Sequence, residues 1–445
     1  MFRTALVASL CLLLPGRAPG ADVPDPPPLP ARLDLATAVR LLRERGLDVL
    51  AAEAAVRGAE GDLAAARAVA NPTLSGSYGR STPRGGCLGP AGAPARCEPF
   101  PDPALGAGLS DNAALFDALS GKHGLRGDVA RAALAAARLS RDDALRNLEA
   151  QLKSQFTLLL LAEGTLDFAR EVSEAQAKTF ELSRARYDAG AISEADLARI
   201  ETAKLEADQA VDQARAGLRN AQVALAFLLG VRSAVPEFRA LPEELQSSAL
   251  PAALSGKTRE ELLERALRTR PDVLAARRQV DRADAAAALA RRQRVPDVAV
   301  SVGYAQQGTT NQAVSPPTWT VGLSLPLPLF NLHSGEIARA EADLAAQRLA
   351  LARAEAAAVG DVETAWATFT QARALVARME GGLLERAKTA RDLVTLQYRK
   401  GAASLLDLLD AQRTFIAVRL EYLQDLAAYW QAIFRLEQAV GMTLR

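Results

Sequence analysis

The sequence predicts a mainly α-helical fold with four strands of a membrane β-barrel in each chain. Three observations indicate this class: an internal duplication, two proline-free stretches long enough for unusually long helices, and short segments that alternate between apolar and small residues. Aromatic residues are only 5% of the 445 residues, which favours long helices over compact cores. Lys and Arg total 53 against 52 Asp and Glu, so the chain offers no basic field for a nucleic-acid backbone.

The N-terminus has the pattern of a secretory signal peptide, residues 1–20. Arg3 precedes an apolar run from Ala5 to Leu14, and small residues follow it, so we expect cleavage after Gly20. The run is too short to cross a bilayer, and no later segment supplies the roughly 20 apolar residues of a membrane helix. If the chain crosses a membrane, strands must therefore do so.

Two cysteines remain after the signal peptide, which carries Cys11, is removed. Cys87 and Cys97 lie in a Gly/Pro-rich stretch of an exported chain, where we expect a disulfide that closes a loop of about ten residues; two free thiols are the alternative. Neither the cysteines nor the two histidines, His123 and His333, cluster with metal-ligand spacing. The sequence therefore predicts no metal site and no cofactor.

The internal duplication determines the architecture. A shift of 224 residues (272 − 48) aligns Asp48–Ala52 with Asp272–Ala276 and continues without a gap as far as Pro72 and Pro296. A shift of 211 residues (398 − 187) aligns the segment that begins at Tyr187 with the one that begins at Tyr398. The first copy therefore contains 13 additional residues (224 − 211), which we assign to the loop with the two cysteines.

The duplication predicts the domain boundaries. The first copy occupies 21–230, a linker rich in Pro, Ser and Ala occupies 231–257 as an irregular equatorial collar, and the second copy occupies 258–445. Each copy is expected to contain a helix, a β-hairpin, a very long helix, a short turn at its tip and another helix. The hairpins are expected at about 72–117 and about 296–326.

Two segments of the second copy alternate between apolar and small or polar residues. This pattern is typical of a strand in a membrane barrel, apolar toward lipid and polar toward the lumen, and a soluble hairpin with one buried face is the alternative. In the first copy Leu74 and Tyr78 follow the same pattern, and the return strand is expected near Leu105 to Phe116. The residues expected to face lipid are Val298, Val300, Val302, Tyr304, Trp319, Val321 and Leu323.

Two hairpins give four strands, and an open four-stranded sheet in lipid would leave edge amides unpaired, each at a cost of several kcal/mol. Identical chains must therefore share the barrel. Two chains would make a barrel of eight strands that side chains fill, whereas three would make twelve and leave a lumen. A homotrimer is thus favoured for a protein that conducts.

No proline interrupts 123–187 or 334–398, and apolar residues recur there at helical spacing. A helix of roughly 65 residues would be about 100 Å long. Such a helix is too long for one globular core, so we expect laterally packed coiled coils. The heptad seam of the second copy is Val362, Ala365, Phe369, Ala372, Val376, Met379 and Leu383, and that of the first includes Leu145, Leu148, Leu152, Phe156 and Leu159.

Motifs at the helix-to-strand joints and at the turns of the long helices are similar to those of one protein family. They are Asn71-Pro72-Thr73-Leu74, Arg294-Val295-Pro296-Asp297, Tyr187-x-x-Gly190-x-x-Ser193 and Tyr398-x-x-Gly401-x-x-Ser404. From about Leu33 to Leu444 the chain resembles the outer-membrane factor family, the TolC-like channels. The segment Gly322–Asn331, followed by Gly335-Glu336-Ile337, is most similar to the CzcC-like branch that serves heavy-metal resistance pumps.

The resemblance implies a TolC-like fold in which three protomers share a 12-stranded outer-membrane barrel and extend a helical tunnel into the periplasm. It implies a passive exit duct, without catalysis, in a tripartite efflux system. The partners would be a periplasmic adaptor (membrane fusion) protein, an inner-membrane resistance-nodulation-division pump and outer-membrane lipid. The cargo implied is divalent heavy-metal cations; drugs or other organic solutes, or type I secretion, are the alternatives.

The resemblance also implies roles for residues at the two tips. Asp407 and Asp410 match the aspartates whose rings narrow the periplasmic end of the tunnel, while Tyr398 and Asp196 match positions in the network that closes it. Capping of the turns is the alternative role for Asp407 and Asp196. Adaptor docking is expected at small residues that leave the backbone uncovered, although glycine in a turn can be a backbone requirement alone. These residues are Gly190, Ala191, Ser193, Gly401, Ala402 and Ser404.

Two other classes of protein remain as rivals. A periplasmic adaptor would also be exported and rich in heptads, but it would have one hairpin and a lipoyl-like domain instead of two copies with amphipathic strands. An enzyme is disfavoured because neither histidine has a nucleophile motif beside it.

Overall fold

The computed structural model describes residues 29–81, 87–88, 94–95, 102–241, 243–306 and 317–443. Within these ranges the helices, in chain order, are α1 (Leu35–Arg45), α2 (Leu47–Ala66), α3 (Ala114–Leu119), α4 (Lys122–Asp188), α5 (Glu194–Leu228), α6 (Arg259–Thr269), α7 (Pro271–Arg292), α8 (Ser334–Arg378), α9 (Leu384–Arg399) and α10 (Leu405–Val440). The strands are β1 (Arg32–Leu33), β2 (Thr73–Ser81), β3 (Cys87–Leu88), β4 (Pro94–Ala95), β5 (Asp102–Ser110), β6 (Arg239–Ala240), β7 (Ala299–Gln306) and β8 (Thr318–Ser324).

The mainly α-helical class with four principal strands is confirmed. β2 and β5 lie between α2 and α4, and β7 and β8 lie between α7 and α8, so both copies have the same order of elements. No described helix combines the length and the apolar character needed to cross a membrane. The signal peptide at 1–20 lies outside the described residues, as does Cys97, so the Cys87–Cys97 disulfide stays a prediction.

The chain divides into two compact units. The first contains the described residues up to Leu47 together with Leu158–Glu243. Its two short strands, β1 and β6, are parallel, and the Ala240 N–H donates to Glu163 Oε1 at 2.9 Å. Gly230, just after the end of α5, has a left-handed conformation (φ 75°). A Cβ there would lie 2.4 Å from the carbonyl oxygen of Arg45, so only glycine fits.

The second unit contains Asp48–Thr157 and the chain from Glu244 onward. It holds an antiparallel sheet of four strands in the order β2-β5-β7-β8. The helical part of this unit has a core of linked aromatic rings whose centroids are 5.6 to 6.1 Å apart. The rings belong to Phe369, Tyr429, Trp430 and Phe434.

The predicted heptad seam of α8 is confirmed for six of its seven residues. Val362, Ala365, Phe369, Ala372, Val376 and Met379 are all less than 9% exposed, whereas Leu383 is 44% exposed. The prediction of one unbroken helix from 334 to 398 is wrong. A π-helical turn at Met379–Leu383 separates α8 from α9, and Gly382 has φ 137°. Two adjacent glycines, Gly381 and Gly382, lack the side chains that would hold regular helix geometry there.

The long helix of the first copy agrees with the prediction, since α4 has 67 residues. The return strand of that copy is shorter than predicted, because β5 ends at Ser110 instead of continuing to Phe116. The carboxylate of Asp111 accepts the N–H groups of Ala113, at 3.0 Å, and Val300, at 2.8 Å. These bonds turn the chain, and α3 follows.

Candidate functional site

The register of the four-stranded sheet places apolar side chains on one face. Leu74 lies opposite Leu109, which lies opposite Val302, which lies opposite Val321. Residues directly opposite each other share a face, so these four form one row across the sheet. Gly76 and Ala107 lie on the same face, whose large apolar side chains are Leu74, Tyr78, Leu105, Leu109, Val300, Val302, Tyr304, Trp319, Val321 and Leu323.

This apolar face is exposed in the single chain. Leu74, Val321 and Leu323 are 79%, 78% and 74% exposed. Single exposed apolar side chains are common on soluble proteins, but a contiguous exposed apolar face of this kind marks a surface that another phase or partner covers. Six of the seven residues expected to face lipid lie on it. Val298 precedes the first residue of β7 and therefore lies just outside the strand.

Apart from Asp102 at one end of β5, the opposite face carries small residues, and glycines lie against hydroxyl side chains. A Cβ at Gly106 would lie 2.5 Å from Ser77 Oγ, and one at Gly303 would lie 2.6 Å from Thr320 Oγ1. Larger side chains would therefore force these rows apart. The small face comprises Thr73, Ser75, Ser77, Gly79, Gly106, Gly108, Ser110, Ser301, Gly303, Ala305, Thr318, Thr320, Gly322 and Ser324.

An aromatic pair ends the apolar face near the loop between β7 and β8. The rings of Tyr304 and Trp319 are directly opposite, with centroids 5.1 Å apart and an edge-to-face arrangement. The Tyr304 hydroxyl donates to Gln306 Oε1 at 3.1 Å. Rings with one apolar and one polar end are typical of the boundary between membrane and water.

The turn between α9 and α10 brings together the residues predicted for the second tip. Ser404 is the N-cap of α10, and its backbone N–H and its hydroxyl both donate to Asp407 Oδ2, at 3.0 and 2.7 Å. The Asp407 N–H donates back to Ser404 Oγ at 3.2 Å, which completes a capping box. The Ser404 hydroxyl and N–H hold the pKa of Asp407 below its usual value.

The other predicted residues of this turn differ in burial. Tyr398 is only 8% exposed, while Asp410 is exposed. Within the described part of the chain, the Asp410 carboxylate makes no hydrogen bond and no ion pair. Asp410 is therefore the one predicted constriction residue of this turn whose charge has no local structural role.

The turn between α4 and α5 has a weaker cap. Ser193 caps α5, its hydroxyl donates to Asp196 Oδ2 at 2.8 Å, and Arg199 lies 3.6 Å from the same carboxylate. Tyr187 is 38% exposed. The capping role that the sequence left open for Asp196 and Asp407 is thus present in both turns, and their role in a constriction stays a prediction.

The predicted docking residues are exposed in both turns. Gly190 and Gly401 have φ values of 73° and 76°, and a Cβ at either would meet no atom within 4 Å. Each turn closes with a backbone bond from the following alanine: Ala191 to the Arg186 carbonyl, and Ala402 to the Gln397 carbonyl, both at 2.8 Å. The backbone at both tips is therefore open to a partner.

The family model of outer membrane efflux proteins matches residues 38–231 and 262–442, most of the chain. The chain belongs to the outer membrane efflux protein family. The resemblance inferred from the sequence is therefore confirmed.

Two curated relatives and a solved structure are similar over most of this outer membrane efflux protein. The cobalt-zinc-cadmium resistance protein CzcC of Cupriavidus metallidurans is 28% identical over 332 residues, 73% of this chain and 74% of CzcC. The pyoverdine export outer membrane protein OpmQ of Pseudomonas putida is 27% identical over 322 residues, 68% of this chain and 67% of OpmQ. A structure of CusC superposes with a TM-score of 0.74 over 92% of each chain, at 19% identity.

Family and fold identify this efflux protein as an outer-membrane channel that extends into the periplasm. The family and the fold are those of channel proteins and not of enzymes. Its sheet is not closed within one chain, as expected for one protomer of such a channel. The described residues contain no cluster of three or more His, Cys, Asp or Glu side chains that could hold a metal ion.

Buried charged side chains of this efflux protein join elements that are far apart in the sequence. Local sequence patterns gave no indication of these contacts. Lys122, at the start of α4, is 4% exposed, and its Nζ donates to the Val295 carbonyl and to Asp297 Oδ1, both at 2.6 Å. This anchors α4 to the entry of β7. The partners are 173 and 175 residues apart, so no local motif could reveal them.

A second buried group fixes the start of α7. The Arg270 side chain is 3% exposed and lies 2.7 Å from Asp272 and 3.0 Å from Asp361. Burial favours a higher pKa for Asp272, but the hydrogen bond and charge of Arg270, with the charge of Arg146, hold the pKa of that carboxyl below its usual value. Asp272 therefore stays ionised at neutral pH.

Proposed function

We propose that three copies of this chain form the exit duct of a tripartite efflux system and that its cargo is divalent heavy-metal cations. A periplasmic adaptor and an inner-membrane resistance-nodulation-division pump deliver the cargo. The duct itself is passive, and its lumen is lined by the small face of the sheet.

The four-stranded sheet supports this proposal, because it has one apolar face, one face of small residues and two open edges. β2 and β8 each have one neighbour, so each leaves a row of backbone groups without strand partners. In hydrocarbon such a row is costly, and closure with other strands removes the cost. Three four-stranded sheets give twelve strands, enough for a lumen, with the apolar face toward lipid.

Two observations favour a cationic cargo. CzcC, which is similar over 73% of this chain, is named for resistance to cobalt, zinc and cadmium. Asp407 and Asp410 are exposed on one helix, and three copies around a narrow axis would concentrate negative potential there. OpmQ is similar over 68% of the chain and is named for export of pyoverdine, so an organic cargo is the second candidate.

The adaptor is assigned to the two turns. Gly190, Ala191 and Ser193 in one, and Gly401, Ala402 and Ser404 in the other, are exposed and small. The exposed backbone of each tip is therefore available for contact with a helical hairpin of the adaptor.

The experiment has two parts. The first measures the mass of the detergent-solubilised protein by light scattering; a trimer is expected, and a monomer that is soluble without detergent would refute the shared barrel. The second expresses the chain with a resistance-nodulation-division pump for heavy metals and its periplasmic adaptor, in a strain without its own outer-membrane efflux channels. We expect higher tolerance to Zn²⁺, Co²⁺ and Cd²⁺, whereas export of pyoverdine without metal tolerance would replace the metal cargo with an organic one.

A further inference from the structure

A polar groove with a volume of about 580 Å³ lies between α4, α8 and α10 in the second unit. The groove is lined by Gln151 and Gln155 of α4, by Gln431 and Arg435 of α10 and by Thr368 of α8. Residues four apart share one face of a helix, so α4 and α10 each direct a pair of side chains into the groove. The volume is within the range of pockets that bind small molecules.

The groove opens on the side of α10 that faces away from the linker. The rings of Tyr429 and Trp430 donate hydrogen bonds to backbone carbonyls of the linker, at 3.5 and 3.0 Å. Both rings lie about 100° or more around the helix axis from Gln431 and Arg435, because successive residues of an α-helix are about 100° apart. The linker therefore covers the opposite side of α10 and leaves the groove open.

The polar side chains of the groove lack partners. Within the described parts of the chain, the side chains of Gln151, Gln155, Gln431 and Arg435 make no hydrogen bond and no ion pair. Gln155 and Gln431 are half-buried, and a polar group that is partly removed from water is stabilised by a hydrogen-bonding partner. The groove thus presents unused donors and acceptors to a ligand.

The charge of the groove determines the class of ligand. Arg435 is the only charged side chain among the described residues that line it. Glu437, two residues further along α10, is 5% exposed and paired with Lys153 of α4. A guanidinium group binds carboxylate or phosphate through two parallel N–H bonds, and its single positive charge matches a carboxylate better than a phosphate with about two negative charges. Amide groups both donate and accept, so they suit hydroxyl or carbonyl groups of the same molecule.

Resting on the proposed function, we propose that this groove faces the lumen of the duct and binds the carboxylate group of a small solute, with Arg435 as its charged partner. The glutamine amides of the groove bind the other polar groups of the solute. The solute is a free organic acid or the organic ligand of a metal ion, which present the same carboxylate. An open groove with one charge suits weak binding, as a duct that must also release its cargo requires.

The groove lies deeper in the duct than the aspartates of the second turn. Arg435 follows Asp410 on α10 by 25 residues (435 − 410), about 38 Å along the helix axis. Three copies would therefore place a ring of positive charge beyond the negative charges of the entrance.

The test is a titration of the detergent-solubilised protein with gluconate, which carries one carboxylate and several hydroxyl groups, followed by saturation-transfer NMR. We expect weak binding that Arg435→Gln reduces by about ten-fold or more, because a charge-assisted hydrogen bond is lost. Arg435→Lys keeps the charge without the paired N–H groups, so we expect an intermediate affinity. Arg348→Gln is the matched control, because it removes an exposed arginine of α8 outside the groove and should bind gluconate as the wild type does.

Competing solutes test the chemical class of the ligand. Sorbitol has the hydroxyl groups without the carboxylate and should not displace gluconate. Displacement by sorbitol, tighter binding of inorganic phosphate than of gluconate, unchanged binding in Arg435→Gln, or an equal loss in Arg348→Gln overturns the inference. Added Zn²⁺ separates the two sources of the carboxylate: tighter binding of gluconate supports the ligand of a metal ion, and weaker binding supports a free acid.

Ion selectivity tests the position of the groove in the duct. In planar bilayers, Arg435→Gln should raise the preference for K⁺ over Cl⁻, because a ring of positive charge in the lumen is lost. An unchanged preference would overturn the placement of Arg435 in the lumen. Binding is measured in detergent and needs no conducting trimer, so an absence of conductance counts against the proposed function, whereas the NMR titration alone decides the ligand of the groove.

Discussion

The two helical turns descend from one repeated motif, yet they differ in charge. The second turn has Asp410 where the first has Arg199, since 410 − 211 is 199. In the first turn, Arg199 lies 3.6 Å from Asp196 and compensates its charge. In the second turn, Asp407 and Asp410 lie one helical turn apart, and Asp410 makes no ion pair with any described residue. The pair of exposed aspartates one helical turn apart at the start of a helix therefore belongs to the second copy.

The turns also differ in how firmly they are held. Tyr398 is 8% exposed in the second turn, whereas Tyr187 is 38% exposed in the first. Asp407 accepts both the backbone N–H and the hydroxyl of Ser404, but Asp196 accepts only a hydroxyl from its cap. What the turns share is the open backbone at Gly190 and Gly401. The shared feature suits a common docking role, and the differences suit a constriction supplied by one copy.

The largest expected effect concerns the exposed backbone that the two turns share. Gly401→Trp places a bulky side chain on the exposed backbone of the second turn, and Gly190→Trp does the same on the first. We expect either change to abolish metal tolerance, because the adaptor could no longer approach the tip. Metal tolerance is measured in the reconstituted system, with trimer formation checked in detergent.

The control for these variants is alanine at the same positions. Alanine carries the same backbone strain at positive φ, of about 1–2 kcal/mol, but adds little bulk. Tolerance that survives alanine and disappears with tryptophan identifies a docking surface. If one tryptophan variant has no effect, that turn does not bind the adaptor.

The next effect tests the difference in charge. Asp407→Asn combined with Asp410→Asn removes the negative charges of the second turn without changing its shape. We expect higher conductance, weaker block by divalent cations and a several-fold loss of cation selectivity, because the negative potential at the entrance is lost. Planar-bilayer recordings under a salt gradient measure all three quantities.

A charge swap makes this test sharper. Asp410→Arg gives the second turn the pattern of the first, and we expect it to reduce cation selectivity further than the neutral change. Arg199→Asp, the reverse change in the first turn, is the matched control. Equal effects of both swaps would show that the two copies contribute alike, and unchanged conductance in every variant would remove the aspartates from the constriction.

Much of the architecture follows from local sequence patterns. Alternation over Val300–Tyr304 and over Trp319–Leu323 predicted the strands and their apolar face, because side-chain direction in a strand follows a period of two. The heptads from Val362 to Met379 predicted a buried seam for a similar reason. The motif itself left capping of the turn open as the alternative role of Asp407.

Other features depend on contacts that no local pattern specifies. The π-helical turn is stabilised from elsewhere in its unit, since Glu380 accepts the hydroxyls of Ser248, at 2.6 Å, and Tyr422, at 3.0 Å. The adjacent glycines beside Glu380 were its only sequence signal. The early end of β5 depends on Asp111 bonding to Val300, 189 residues away. The role of Lys122 also depends on a contact between distant parts of the chain, because this side chain joins the start of α4 to the segment just before β7.

The smallest effect tests the difference between the caps. Ser404→Ala removes the hydroxyl bonds to Asp407, and we expect a local loss of about 1 kcal/mol, read as faster hydrogen exchange in the first turn of α10. Ser193→Ala should accelerate exchange in α5 less, because Asp196 lacks the reciprocal backbone bond. Equal acceleration in both helices would mean that the capping box adds nothing to the simple cap.

The same cap predicts a dependence on pH. Ser404 lowers the pKa of Asp407 from 3.8, so the stabilisation is complete above that value and is lost as the pH falls through the lower value of the folded state. Exchange in the first turn of α10, corrected for the intrinsic effect of pH, should therefore accelerate only below about pH 4. In the Ser404→Ala variant this acid-dependent step should shrink, since the hydroxyl bond to Asp407 is gone and only the backbone N–H of residue 404 still lowers the pKa. A step of the same size in the variant would mean that another carboxylate controls the stability of this turn.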